Sequence, residues 1–535
     1  SASDGCPNPP LGAPRTVRLA GSRHDRQPVI CITSAKETAM KNEEESLDPS
    51  DWTEARALAH RIIEDAVRHV DEVRARHVWQ PIPEEVRARF RTPLPTGPQP
   101  LVDVYEELRE NMLPCAMGNI HPRFWGWYMG SGNFTGALGD FLAAIDGSNL
   151  GGGSTAAAMI DMQVIDWFKE MMELPSTASG TLTSGGSMAN LLAHTITRNM
   201  MAGVDVRADG IVGLAQPLRF YASDQVHSCH QKALETLGLG ARSLRMVASG
   251  DRQRIDLTAL EAAIAQDRAA GVAPVCVIGT AGTTNTGATD DLEALSAICR
   301  REGLRFHVDG CIGAFLKIAP ENRALVAGIE LADSVALDPH KWLHTPFEAG
   351  CVLVRDADRH FETFEMHGEY LQMQTRGMIA GKFLADYGLE LSRGFKALKI
   401  WMSLKENGAP KLGRLIDQNI AQARHLEGLI ATEPRLELVA PVDLNIVCFR
   451  YADGLKNEAA LKAINTKIML RIQESGVAIL SDTTVSGRHC LRVAINNHRT
   501  TRQDLSLLLS EVLRTGESVA HEQARPAAPV STAGE

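Results

Sequence analysis

Between residues 101 and 400, short runs of apolar residues alternate with longer stretches of helical periodicity, and this alternation constrains the fold more than any other feature. The runs FYASD (220–224), APVCVIGTAG (273–282), LRFHVDG (304–310), SVALDPH (334–340) and GCVLVRD (350–356) have the length and composition of buried strands. Between them, MANLLAHTITRNMM, LTALEAAIAQDRAA and DLEALSAICRREG space their apolar residues by three and four. Such a succession predicts an α/β unit built on a mainly parallel sheet. In sheets of that kind, chemistry gathers in the loops beyond the carboxyl ends of the strands.

The flanks carry other patterns. Residues 1–50 lack apolar periodicity and read as a flexible extension. From Asp51 onward, Ala55, Leu58, Ala59, Ile62, Ile63, Ala66, Val70 and Val73 recur at helical steps behind a Ser50–Asp51 cap. That apolar stripe needs a cover, either a later segment or a second subunit. The expected organisation is an N-terminal helical segment over 51–133 with a Pro-rich linker, a large α/β domain over 134–398 and a smaller α+β domain over 399–515. Its elements are a long helix from Trp401, the strands NIVCFRY, GVAILSD and HCLRVAIN, and a last helix behind Thr500–Thr501. Residues 516–535 read as a disordered tail.

A chain of 535 residues exceeds what one core usually supports. Its formal net charge of -10 and the lack of basic clusters exclude a dedicated nucleic-acid binder. No run reaches the roughly 18–20 apolar residues of a membrane span, so no membrane partner is expected. Ten cysteines without a CxxC pair suit a reducing, cytoplasmic setting.

Five stretches sit where a strand ends or a helix begins. TSGGSMAN (183–190) places Gly186 and Ser187 at a helix start, either as a tight capped turn or as a phosphate cradle of free N–H groups. SDQVHSCHQKA (223–233) offers His227, either a satisfied loop residue or a ring able to stack on a flat heterocycle. Its companions Cys229 and His230 raise a metal reading, but no further ligands follow at zinc-like spacing, and no metal is expected. TAGTTNTGATDD (280–291) ends a strand with hydroxyls, among them Thr284, suited to a phosphate contact or a polar turn. Asp309 closes the strand LRFHVD, where a buried carboxylate is costly unless paired, for instance with a protonated pyridine nitrogen. Lys341, in LDPHKWLHTP, lies one helix-and-strand unit further on; an apolar, aromatic setting would lower its pKa and make it a nucleophile toward an aldehyde.

Phosphate turn, stacking histidine, strand-end aspartate and strand-end lysine together match what pyridoxal phosphate requires. With GNIHPRFWGW, DWFKEMMELP, TSGGSMANLL, SDQVHSCHQKA, HVDGCIGAF, DPHKW, SRGFKALKIWMSLKENG and LRVAINNHRTT, the chain resembles the group II pyridoxal-phosphate amino-acid decarboxylases from about Trp52 to Leu513. The resemblance implies a fold-type-I enzyme, similar to aspartate aminotransferase in fold. It also implies a homodimer with active sites at the subunit interface and an N-terminal segment wrapping the partner. In that reading Lys341 carries the cofactor, Asp309 binds the pyridine nitrogen and His227 stacks on the ring. Gly186, Ser187, Thr284 and His340 approach the phosphate, and Tyr370, in GEYLQMQTRG, returns a proton to the substrate carbon.

The residue before Pro-His-Lys is often asparagine in this family and is Asp338 here, which puts its role at the phosphate in question. The expected substrate is an aromatic L-amino acid, with Phe124, Trp125 and Trp127 as pocket candidates. The glycines of NLGGGS (149–154) stand where aromatic-specific relatives tend to be bulkier. Arg123 and Arg492 keep an acidic substrate open as an alternative, or serve as structural ion-pair residues. Further alternatives are a decarboxylation-coupled aldehyde synthase, which retention of Tyr370 and His227 disfavours, and a non-enzymatic scaffold.

Overall fold

The computed structural model describes residues 45–250, 252–366 and 374–524, so the extension expected over 1–50 lies, up to residue 44, outside the described residues. Two compact units divide between Ala59 and His60. In the first, Asp51 Oδ1 accepts from the Thr53 N–H at 2.7 Å and starts the helix Trp52–Asp71, none of whose residues is buried. In the second, Asp65 accepts from the Tyr105 hydroxyl at 2.7 Å, and Arg61 pairs with Glu106, tying that helix to the helix Leu101–Asn111.

The second unit contains a seven-stranded sheet made of β1 (Ser179–Thr183), β2 (Leu218–Ser223), β3 (Leu244–Val247), β4 (Ala273–Thr280), β5 (Arg305–Asp309), β6 (Ser334–Leu337) and β7 (Gly350–Val354). Their spatial order is β1-β7-β6-β5-β4-β2-β3. The run from β3 to β6 is parallel, whereas β7 is antiparallel to both of its neighbours. Because β1 and β6 both oppose β7, they point the same way, and the carboxyl ends of β1, β2, β4, β5 and β6 open on one edge. Val277, Val308, Val335 and Leu353 are fully buried in the sheet beside Phe168, Leu260, Leu295 and Ile416 from flanking helices. Each such side chain contributes roughly 1.5–3 kcal/mol relative to exposure.

The apolar runs read as strands become β2, β4, β5, β6 and β7. Short β1 and β3, carrying Ser-Gly-Thr and an arginine, are added by pairing alone. The long helix spans Lys396–Ala431 and is broken at Gly408 (φ 70°, ψ 148°), two residues before Pro410, which has no N–H to offer.

A second, antiparallel sheet has the order β10-β11-β9-β8, from β8 (Leu436–Leu438), β9 (Ile446–Tyr451), β10 (Ser481–Val485) and β11 (Arg488–Ala494). The helices Glu458–Glu474 and Arg502–Ala524 share its core, so the disordered tail expected over 516–535 is corrected for 516–524, where Val519 is fully buried, while 525–535 lie outside the described residues. The strand expected at GVAILSD is corrected: pairing starts at Ser481, while Ile479 makes only an isolated bridge to Phe124, because the earlier residues pack inward beside Trp125. The last helix starts as expected, with Thr501 and Asp504 capping reciprocally: the Thr501 N–H donates to Asp504 Oδ2 at 2.8 Å and the Asp504 N–H to Thr501 Oγ1 at 3.4 Å.

Candidate active site

The shared edge of the large sheet gathers the strand-end residues around one cavity of about 330 Å³. Gly186 and Ser187 arrive from the turn after β1, His227 from the loop after β2, Thr284 from the loop after β4 and Asp309 as the last residue of β5. Asp338, His340 and Lys341 follow β6, and all eight line the cavity. The helix Gly186–Met201 begins without a side-chain cap, so its first N–H groups are available to an anion. A Cβ on Gly186 would lie 2.2 Å from Cys311 Sγ and 2.8 Å from Asp338 Oδ2, so only glycine lets this helix start press against the loops after β5 and β6. Thr283 Oγ1 braces its loop by accepting from the Ala288 N–H at 3.1 Å, and His340 Nδ1 accepts from the Ala349 N–H at 3.2 Å.

Lys341 Nζ lies 2.9 Å from Asp338 Oδ2. Desolvation alone would lower the pKa of the lysine, but the Asp338 carboxylate outweighs it and holds the amine protonated well above the ordinary lysine range. The expected lowering is therefore corrected. Trp342, which suggested it, points into the core and donates from Nε1 to Asn419 Oδ1 at 3.0 Å. Asp338 engages the lysine, and its Oδ1 is buried with no partner among the described residues. His340 Nε2 stands 3.8 Å from the same carboxylate.

Asp309 Oδ1 accepts from the Cys311 N–H at 3.1 Å, and its Oδ2 accepts from His230 Nε2 at 2.8 Å. Burial works against this charge, yet the hydrogen bond from His230, the Cys311 N–H and the nearby Lys341 hold the carboxyl well below the usual carboxylate range. Asp309 therefore faces the cavity as an anion.

The aromatic pocket candidates lie apart from the cavity of this chain. Trp125 is fully buried in the core of the small sheet, its Nε1 donating to Thr500 Oγ1 at 3.3 Å, and Phe124 packs with Val78 and Ile479. Trp127 is exposed, and none of the three lines the cavity. Arg492 donates to the backbone oxygens of Thr284, Asn285 and Trp127 and thus shapes the Thr284 loop rather than holding a substrate acid. Arg123 donates to the Val477 carbonyl at 2.7 Å and lies 3.9 Å from Asp504. The NLGGGS glycines answer a packing demand, since a Cβ on Gly152 would meet Phe383 at 2.8 Å. Tyr370 lies outside the described residues.

Ligand atoms of Cys229, His230 and Asp309 do cluster. The His230 bond to Asp309 is already made, and burial pushes the Cys229 thiol up to about 12, so it stays protonated. Reasoning from sequence missed His230 as a partner of Asp309. The only signal for His230 was its place one turn into a helix behind His227.

A family model described as the pyridoxal-dependent decarboxylase conserved domain matches residues 83–452. The chain belongs to this family. It is 32% identical to an aromatic-L-amino-acid decarboxylase of Bacillus atrophaeus over 87% of this chain and 96% of that protein. A phenylacetaldehyde synthase of a Rosa hybrid cultivar is 27% identical over 86% of this chain and 92% of that one. The crystal structure of Oryza sativa TDC with PLP and tryptamine superposes with a TM-score of 0.82 at 27% identity, covering 89% of this chain and all of that one. The cofactor of this pyridoxal-dependent decarboxylase is pyridoxal phosphate, and the cavity fits it. An uncapped helix start, an amine and a carboxylate held ionised line the same cavity. The volume falls within the range of small-molecule sites.

Proposed function

We propose that the protein decarboxylates an aromatic L-amino acid to its amine and carbon dioxide. The observation that carries the site assignment is that Lys341 and ionised Asp309 line one cavity, near enough for the lysine's charge to act on the carboxylate. When bound, pyridoxal phosphate supplies an aldehyde that captures amines and a ring that accepts the electrons left behind by departing carbon dioxide. Lys341 Nζ offers the amine that holds the aldehyde and later releases product. Gly186, Ser187 and Thr284 hold the phosphate, with His340 beside it. His227, exposed at the cavity, covers one face of the ring, and Asp309 keeps the ring nitrogen protonated, which makes the ring a better electron acceptor. Asp338 keeps Lys341 charged until the aldehyde arrives. Tyr370 returns a proton to the α-carbon.

The aromatic class rests on the Bacillus relative and on the rice structure named with tryptamine. Engagement of Arg492 by backbone carbonyls weighs against an acidic substrate. A second reading, oxidative conversion to an aldehyde, is favoured by the rose relative. Carbon dioxide release over an amino-acid panel, with ammonia and peroxide followed in parallel, decides among these. Turnover of tryptophan, tyrosine or DOPA without ammonia is expected. Turnover of glutamate or aspartate alone overturns the substrate class, and ammonia in step with carbon dioxide overturns simple decarboxylation. For Tyr370→Phe the expected result is impaired amine formation with the cofactor retained; a normal amine yield removes the tyrosine from the mechanism.

The working form proposed is a homodimer with active sites at the subunit interface, supported by exposed Phe141, Leu142 and Ile145 on the helix Phe134–Asp146. Light scattering that gives a monomer mass at working concentration overturns it. A cytoplasmic location is proposed from the eight free thiols among the described residues, and fractionation tests it. Among the described residues no helix is long and apolar enough to cross a membrane.

A further inference from the structure

The helix Cys229–Thr236 begins two residues after His227, and its first turn turns His230 inward. His230 and His194 are both fully buried. Nε2 of His230 lies 2.8 Å from Asp309 Oδ2, and its Nδ1 lies 2.8 Å from Nε2 of His194 in the helix Gly186–Met201. An ionised carboxylate has no proton to give, so His230 Nε2 carries the hydrogen in the first bond. The contact between His230 Nδ1 and His194 Nε2 requires a hydrogen on one of the two nitrogens. The remaining nitrogen of His194 has no hydrogen-bond partner among the described residues.

The groups around this line are accounted for. His307, on β5, is occupied at both nitrogens by Ser334 Oγ and Asn190 Oδ1, each at 2.8 Å, and burial pushes its pKa down to about 3. Phe220 of β2 stands edge-on to His194, with ring centroids 5.3 Å apart. Cys229 keeps its proton, and burial pushes His194 well below the ordinary histidine range. Two buried imidazoles aligned behind one carboxylate are costly as mere packing, since leucine would fill the space without polar atoms to satisfy. What they accomplish is specific to Asp309. Without a donor, burial would favour the acid form of that carboxyl, which cannot pair with a protonated ring nitrogen.

We propose that His230, backed by His194, is a positioning residue that holds Asp309 as an oriented carboxylate for the ring nitrogen of pyridoxal phosphate. The proposal rests on the site assignment made above. Its test compares the affinity of the full-length apo-protein for pyridoxal phosphate with that for the 1-deaza analogue, in which C–H replaces the ring nitrogen. Both are read from quenching of tryptophan fluorescence. The wild type is expected to prefer pyridoxal phosphate by at least about tenfold, the worth of one charge-assisted hydrogen bond. In His230→Leu the preference falls to about twofold or less while the analogue still binds, and in His230→Gln, which keeps an N–H donor, the preference survives. Equal weakening of both ligands in His230→Leu marks a merely structural role and overturns the proposal, as does an unchanged preference. A wild type that binds both ligands alike overturns the assignment of Asp309 and the proposal with it, so the two failures are told apart. Should His230→Leu not fold, His194→Phe serves, with a preference reduced about threefold expected and an unchanged one overturning the relay.

Discussion

The ends of β5 and β6 are neighbours in the sheet, and each delivers a buried carboxylate to the same cavity, yet the two acids are held in opposite ways. Asp309 accepts from a histidine and a backbone N–H, so its charge is fixed by hydrogen bonds and faces the cavity. Asp338 is balanced by the charge of Lys341 at 2.9 Å and keeps one oxygen without a partner among the described residues. Asp309 pairs with Ala336, so two residues of offset along adjacent strands separate an acid suited to holding a cationic ring from an acid suited to holding an amine. The partner, more than the depth, sets the role.

Replacing the groups in turn tests this contrast. The largest effect is expected for Lys341→Ala, with decarboxylation abolished and the absorption of lysine-bound aldehyde lost; retention of that absorption would break the assignment of the β6 end. Asp309→Asn keeps the shape but removes the charge, and kcat is expected to fall by about 10²–10³, as for loss of a preorganised electrostatic contact. A fall of less than about threefold would place the critical charge elsewhere.

Asp338→Asn should act on pH rather than on chemistry. Its carboxylate holds Lys341 protonated, and capture of the aldehyde needs the neutral amine, so uptake of pyridoxal phosphate by apo-protein rises with pH. Removing the carboxylate lowers the lysine pKa and moves that rise to lower pH by about 1–3 units. Rates of absorbance change measured across pH check the sign, and a shift to higher pH would refute the pairing. The smallest effect is expected for Trp127→Ala, which lies off the cavity: KM for an aromatic substrate should change by no more than about twofold, within the ±0.5 kcal/mol of ordinary surface changes. A tenfold rise would return this tryptophan to the substrate pocket.

Five of the seven strands of the large sheet were legible because a strand buried on both faces must be continuously apolar. β1 and β3 were not, since four or five residues containing Ser, Gly, Thr or Arg become a strand only when a neighbour supplies the hydrogen bonds. Gly186, Ser187, His227, Thr284, Asp309, Asp338, His340 and Lys341 were legible by the same logic, because strand ends in such a sheet converge. HPRFWGWYMG was misread: three aromatics within four positions do not reveal which one meets a core, and Trp125 went to the small sheet while Trp127 stayed outside.

The family, the cofactor and the strand ends that line the cavity were readable from local pattern, because each depends on residue types at set intervals. The charge of Lys341, the bond from His230 to Asp309 and the burial of Trp125 away from the cavity came into view with the packing alone. Charge and burial depend on which atoms lie within a few ångströms, and those atoms come from segments far apart in the chain: 79 residues separate His230 from Asp309 and 375 separate Trp125 from Thr500.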